Sequence, residues 1–208
     1  MWSSIIIIAA FVVGCLVGKF DVLPSFLSNS DISMWILYAL MLQVGIGVGS
    51  DPRIKEILRA ISPKMLLLPI GTILGTLISV FAISFLLSRW SVFEVMAVGS
   101  GMGYYSLSSI LVTSLKEASI GVQAAAELGT IALISNIFRE MMTLIFAPLM
   151  VRYFGPLAPI SSGGATTMDV TLPIITRTSG RDWVFVSIMH GVVVDFSVAI
   201  LVPLFCSL

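Results

Sequence analysis

Charge is what this chain has least of. Asp, Glu, Lys and Arg together make up 11% of its residues, where soluble domains carry about a quarter. The two signs balance, with eleven residues of each. No basic excess points to nucleic acid, so no nucleic-acid partner is expected. Cysteine is also scarce. Cys15 and Cys206 lie near opposite ends, each in an apolar segment. Two such residues give neither a metal-ligand spacing nor a disulfide framework, and they read as packing residues. There is one histidine, His190, no phosphate-binding loop and no Gly-x-Ser-x-Gly. The run Gly99-x-Gly101-x-Gly103 does not follow the dinucleotide fingerprint. Nothing here predicts an enzyme or a cofactor. Alternating ten-residue strands are missing too, which excludes an outer-membrane barrel.

What remains is apolar. Hydrophobic residues make up 58% of the chain, and the mean hydropathy is +1.09. Runs of about 18 or more apolar residues predict an all-α polytopic membrane protein. Seven segments emerge: Ser4–Phe20, Ser33–Ser50, Met65–Leu87, Val92–Thr113, Ile120–Tyr153, Ala158–Thr176 and Trp183–Leu204. No Lys or Arg precedes the first, and its apolar run continues past Cys15, so it reads as a retained span. Asp51–Arg59 predicts a short amphipathic helix on the membrane surface. The whole chain, 1–208, reads as one membrane transport domain.

Basic residues between spans set the orientation. Arg53, Lys55, Arg59, Lys64, Lys116, Arg177 and Arg181 fall on one side, and Lys19, Arg89 and Arg152 on the other. The expectation is a cytoplasmic N-terminus and an outside C-terminus. A re-entrant sixth segment would flip everything after it.

Two segments are interrupted. Gly99-Ser100-Gly101-Met102-Gly103 is followed by Tyr104, Tyr105, Ser106 and Ser108. Ser161-Ser162-Gly163-Gly164 is followed by Thr166, Thr167, Asp169 and Thr171. Glycines at this density favour an opened backbone. At bilayer depth an opened backbone has to be buried in protein or line a wet cavity. Paired interruptions of this kind point to a transporter binding site, with Gly101, Gly103, Tyr104, Ser106, Thr166 and Thr167 as candidates.

The charges inside apolar runs carry the rest. A charged residue at bilayer depth costs at least ~2.5–3.5 kcal/mol, so each needs a reason. Arg139 and Glu140 are adjacent in the fifth segment. Neighbours on a helix point about 100° apart, so each is expected to seek a partner on another segment. Asn136, Glu140 and Thr143 share one face, and Gln123, Glu127 and Thr130 nearly the opposite one. Glu127 and Glu140 lie about 20 Å apart by helix rise and cannot form one site. Asp195 sits mid-span, and Arg139 is expected to form a structural ion pair with it. Glu140, Glu127, Asp169, Asp195 and Asn136 are the substrate- or proton-binding candidates. Glu94 belongs to a span end, and His190 reads as a packing residue.

One more pattern starts at Gly14-Cys15-Leu16-Val17-Gly18-Lys19-Phe20 and Val44-Gly45-Ile46-Gly47-Val48-Gly49-Ser50. It strengthens at Gly101-Met102-Gly103-Tyr104-Tyr105-Ser106-Leu107-Ser108. It continues through Glu127-Leu128-Gly129 and Arg139-Glu140, and closes at Ala165–Pro173. Through these stretches the chain bears a resemblance to the bacterial lysine exporter family, LysO. The resemblance implies export of lysine and lysine analogues across the inner membrane by a secondary transporter. It also implies crossed discontinuous helices, as in bile-acid sodium symporters and cation–proton antiporters. It implies reliance on intramembrane carboxylates, Glu140 first and Glu127 second; with no nucleotide motif in the chain, an ion gradient is the expected energy source and protons the expected coupling ion. Longer members carry further membrane segments before the matched region. The chain therefore reads as the C-terminal part of a split transporter or as a compact variant, in either case with an N-terminal partner subunit or a homo-oligomer completing the path. A sodium-coupled symporter of an organic anion and a non-transporting membrane subunit stay open beside this reading.

Overall fold

A computed structural model describes residues 63–208, together with the isolated helical positions Trp35, Ala39, Leu42 and Ile46. The chain divides into two units, residues 1–44 and 45–208; the helices named here belong to the second. The first expected span, all but those four positions of the second, the surface helix Asp51–Arg59, and Cys15, Lys19, Arg53, Lys55 and Arg59 lie outside the described residues. Among the described residues the fold is all-helical.

Three helices are long and apolar enough to cross a bilayer. They are α1, Pro63–Ser84; α4, Val122–Phe154; and α7, Val184–Ser207. Helix α4 has 33 residues, about 50 Å at 1.5 Å per residue, well beyond the ~30 Å hydrocarbon core. Glycines stop it at both ends, with Gly121 at φ 85° and Gly155 at φ 87°. Large apolar side chains stay uncovered along these helices. Leu67, Leu74 and Ile78 are exposed on α1, and Ile134, Phe138 and Ile145 on α4. Exposure on this scale suits a helix whose surroundings are lipid.

The other helices are short. Helix α2, Val92–Gly99, starts at a capping box: Ser91 Oγ accepts from Glu94 N, and Glu94 Oε2 accepts from Ser91 N at 2.7 Å. That box gives Glu94 its place at a helix end. Helix α3 is Tyr105–Ile120. After α4 come α5, Ala158–Gly163, a 3-10 turn at Gly164–Met168, and α6, Leu172–Thr178.

Each short pair doubles back. Arg89, just before α2, forms an ion pair with Glu127, in the second turn of α4 just beyond the end of α3. Glu94 in α2 and Lys116 in α3 both lie within Coulombic reach of Cys206 at the end of α7. The start of α2 and the end of α3 are therefore at one end of the bundle. At the other end, Ser179 Oγ donates to Pro156 O at 2.8 Å, which closes the α5–α6 pair. This corrects the expected spans at Val92–Thr113 and Ala158–Thr176. Neither contains a helix long enough to cross, because the chain leaves the helix at Gly99 and at Gly163 and turns. It also corrects the sorting of basic residues. Lys116 shares an end with Arg89, while Arg152, in the last turn of α4, shares the other with Arg177 and Arg181.

The two turns meet backbone to backbone. Ala165 N donates to Met102 O at 2.9 Å. Met102 holds φ at 41°, a left-handed conformation uncommon outside glycine, and Gly103 follows at φ 98°. The level of this crossing is fixed by its partners. They are Thr72 and Thr76 of α1, Asn136 and Arg139 of α4, and His190 of α7. The two threonines, Asn136 and Arg139 lie in the middle third of their helices and His190 just short of it in α7, so the crossing sits near mid-depth.

Candidate functional site

Side chains from all three long helices hold the crossing. Asn136 Oδ1 accepts from Gly103 N at 2.8 Å, and its amide group donates to Ala132 O at 2.8 Å and to Ser108 Oγ at 3.3 Å. It thereby supplies an acceptor for a backbone donor freed by the turn. Asn136→Leu would leave the Gly103 N–H buried without one. The expected cost is about 1–3 kcal/mol, read as a lower unfolding midpoint of the purified protein in detergent.

Arg139 works on the other turn. Its Nε donates to Ser162 O at 2.8 Å, and its Nη atoms to Ser161 O at 3.1 Å and to Thr76 Oγ1 at 3.4 Å. The last carbonyls of a helix lack intrahelical donors and carry partial negative charge. The guanidinium satisfies two of them at the end of α5. Among the described residues it makes no ion pair, and Asp195 is not its partner. Thr143 Oγ1 adds a 2.7 Å bond to Ser162 Oγ.

His190 is fully buried. Its Nδ1 lies 3.2 Å from Thr167 Oγ1 and its Nε2 2.9 Å from Thr72 Oγ1, which lies 2.7 Å from Ser161 Oγ. A neutral ring protonated on Nδ1 satisfies all of these groups. Thr167 donates onward to Ser187 O at 2.9 Å, and Ser187 Oγ donates back to Thr167 O at 2.8 Å. Thr166 Oγ1 donates to Gly163 O at 3.0 Å. Asn136, Thr166 and Thr167 thus bond to the protein itself.

The carboxylates have few partners. Asp169 follows the 3-10 turn and is exposed; its Oδ1 accepts from Val170 N. Asp195 is 5% exposed and has no hydrogen-bond or ion-pair partner among the described residues. Glu140 Oε2 is buried with no partner. Asp169 lies within Coulombic reach of Glu140, of Asp195 and of both Tyr104 and Tyr105. Backbone contact explains part of this. A Cβ at Gly191 would lie 2.7 Å from Met168 N, and Asp195 is one helical turn further along α7. Glu140 is one turn beyond Asn136. The structure therefore gathers Glu140, Asp169, Asp195, Tyr104 and Tyr105 around the crossing. Gly101 and Gly103 are buried within it, and Ser106 is exposed beside it.

Glu127 does not join them. It lies in a cleft of about 500 Å³ at the bundle end with Arg89, Gly121 and Gln123. Sequence reasoning missed Tyr105, Thr72 and the two serine carbonyls. Tyr105 could have been flagged by its place beside Tyr104; the carbonyls leave no mark in a sequence.

The sequence model of the family described as lysine exporter LysO matches residues 8–206. The chain belongs to the lysine exporter LysO family. The lysine exporter LysO of Escherichia coli K12 is 32% identical over 136 residues, which cover 65% of this chain and 41% of that protein. A Haemophilus influenzae protein provisionally named a lysine exporter is 29% identical over 178 residues, 84% of each chain. The chain thus spans less than half the length of its Escherichia coli LysO relative. No solved structure matches. Together with the three long apolar helices, the LysO kinship makes this a multi-pass membrane protein.

Proposed function

We propose that this protein is a secondary active transporter that exports lysine and lysine analogues across the inner membrane. Residues 1–208 act as one transport domain, with a partner subunit or further copies completing the path. Helices α1, α4 and α7 span the bilayer, and the α2–α3 and α5–α6 pairs re-enter from opposite faces as crossed discontinuous segments. One observation carries this reading. An exposed carboxylate, Asp169, stands at mid-depth with Glu140 and Asp195 near it, and no free cationic side chain among the described residues neutralises them. Carboxylates at that depth mark a water-filled path for a cation or a proton relay. Lysine brings the missing positive charge, and proton exchange on the same carboxylates would couple export to the proton gradient.

Orientation follows from the bundle ends. Lys64, Arg152, Arg177 and Arg181 lie at one end and Arg89 and Lys116 at the other, so the first faces the cytoplasm. The C-terminus of α7 then faces outside.

Purified protein in liposomes loaded with unlabelled lysine should accumulate labelled lysine by counterflow, and an imposed pH gradient should drive net flux. Counterflow that is absent with every partner present would reject transport. Counterflow indifferent to pH would reject proton coupling alone.

A further inference from the structure

Glu140 and Asp195 stand on different long helices, α4 and α7. Tyr104 lies within Coulombic reach of Asp195 and Asp169, and Tyr105 within reach of Glu140 and Asp169. Asp169 is therefore within reach of two acidic posts on different helices, each with its own tyrosine. Both posts lack partners: Asp195 is 5% exposed and unbonded, and Glu140 Oε2 is buried and unbonded. An ionised oxygen withdrawn from water and left unpaired is unfavourable until a donor arrives.

The cationic inventory is equally specific. Arg139 directs its donors at Ser161 O, Ser162 O and Thr76 Oγ1. Both nitrogens of His190 face threonine hydroxyls. No basic side chain among the described residues forms an ion pair with Glu140, Asp169 or Asp195. A ligand carboxylate would find no countercharge there, while two ligand ammonium groups would find one each.

We propose that this site recognises two ammonium groups of one ligand, one at Glu140 and one at Asp195, so that aliphatic diamines bind it alongside basic amino acids. The inference rests on reading the crossing as the site for lysine. It makes the α-carboxylate dispensable and each amine essential. An amino-acid decarboxylase reaction would generate ligands of this class.

The test is a binding titration of the purified full chain in detergent with four probes. They are lysine, 1,5-diaminopentane, norleucine, which lacks the side-chain amine, and 6-aminohexanoate, which lacks the α-amine. The diamine should bind within about tenfold of lysine, and the two single-amine probes about tenfold or more weaker, as expected when one charge-assisted hydrogen bond is lost. Asp195→Asn should weaken lysine and the diamine alike. Lysine binding without diamine binding would overturn the two-amine site and leave lysine transport standing. Either single-amine probe matching lysine would overturn it too. Failure of lysine itself to bind would overturn the lysine reading and this inference with it.

Discussion

Glu140→Gln should reduce lysine counterflow about a hundredfold or more while leaving the unfolding midpoint unchanged or raised. The two halves of that result have separate causes. Glu140 Oε2 is buried without a partner, so the folded protein gains nothing from the charge and bears its desolvation. Removing the charge should therefore not destabilise the fold. A ligand ammonium, in contrast, uses it directly. Two unit charges 4 Å apart interact by about 4 kcal/mol at an effective dielectric of ~20, close to a thousandfold in an equilibrium constant. Glutamine keeps an acceptor oxygen, which recovers part of that, and a hundredfold is the expected remainder. Both quantities can be measured on one preparation, by counterflow in liposomes and by thermal unfolding in detergent. Full transport in the variant would remove Glu140 from the path. A lowered midpoint with proportionate loss of transport would make it a structural residue instead.

Composition and hydropathy suffice for the all-helical class and for the long apolar helices α1, α4 and α7, because lipid demands length and apolarity from each spanning segment on its own. The family is equally legible, since Gly-Tyr-Tyr-Ser-Leu at Gly103–Leu107 and Arg139-Glu140 are local strings. The path of the chain between spans is not local. Where a helix stops says nothing about the direction in which the backbone leaves. The fold-back of α2–α3 is tied to a single bond between Met102 O and Ala165 N, 63 positions apart, and to the pairing of Arg89 with Glu127. Counting Val92–Thr113 as a crossing follows from its length and misplaces Lys116. The site divides in the same way. Glu140, Asp169 and Asp195 stand out as acids within apolar runs, but their arrangement about one crossing depends on that non-local contact. Arg139 invites a carboxylate partner by charge alone. Backbone carbonyls at the end of a six-residue helix serve it instead, and carbonyls are the same at every position of a sequence.

The crossing itself sets the second large effect. Gly164→Ala should cost several kcal/mol of stability, whereas Gly121→Ala should cost about 1–3, the usual range for a side chain forced into a sparsely populated backbone region. Both glycines hold positive φ, 64° for Gly164 and 85° for Gly121. Both replacements therefore carry backbone strain of a similar kind. They differ in what surrounds the added methyl group. At Gly121 nothing lies within 4 Å of it. At Gly164 it would overlap the carbonyl oxygen of Met102, the atom that accepts from Ala165 N, and would lie 3.4 Å from Arg139 Nε. Backbone cannot yield as a flexible side chain can, so the two turns would be pushed apart. That would break the bond between them, at a further cost of about 1–3 kcal/mol for the group left unsatisfied. The difference between the two variants isolates the crossing from the strain common to both. It can be measured as the gap between their unfolding midpoints in one detergent, or as loss of the folded fraction of Gly164→Ala on size exclusion. Equal losses in the two variants would mean that backbone strain alone accounts for Gly164, and that the turns do not depend on close approach. A larger loss at Gly164 would identify the Met102–Gly164 contact as what holds Asp169 beside Glu140 and Asp195, and lysine transport should then fall in the same variant even in the fraction that stays folded.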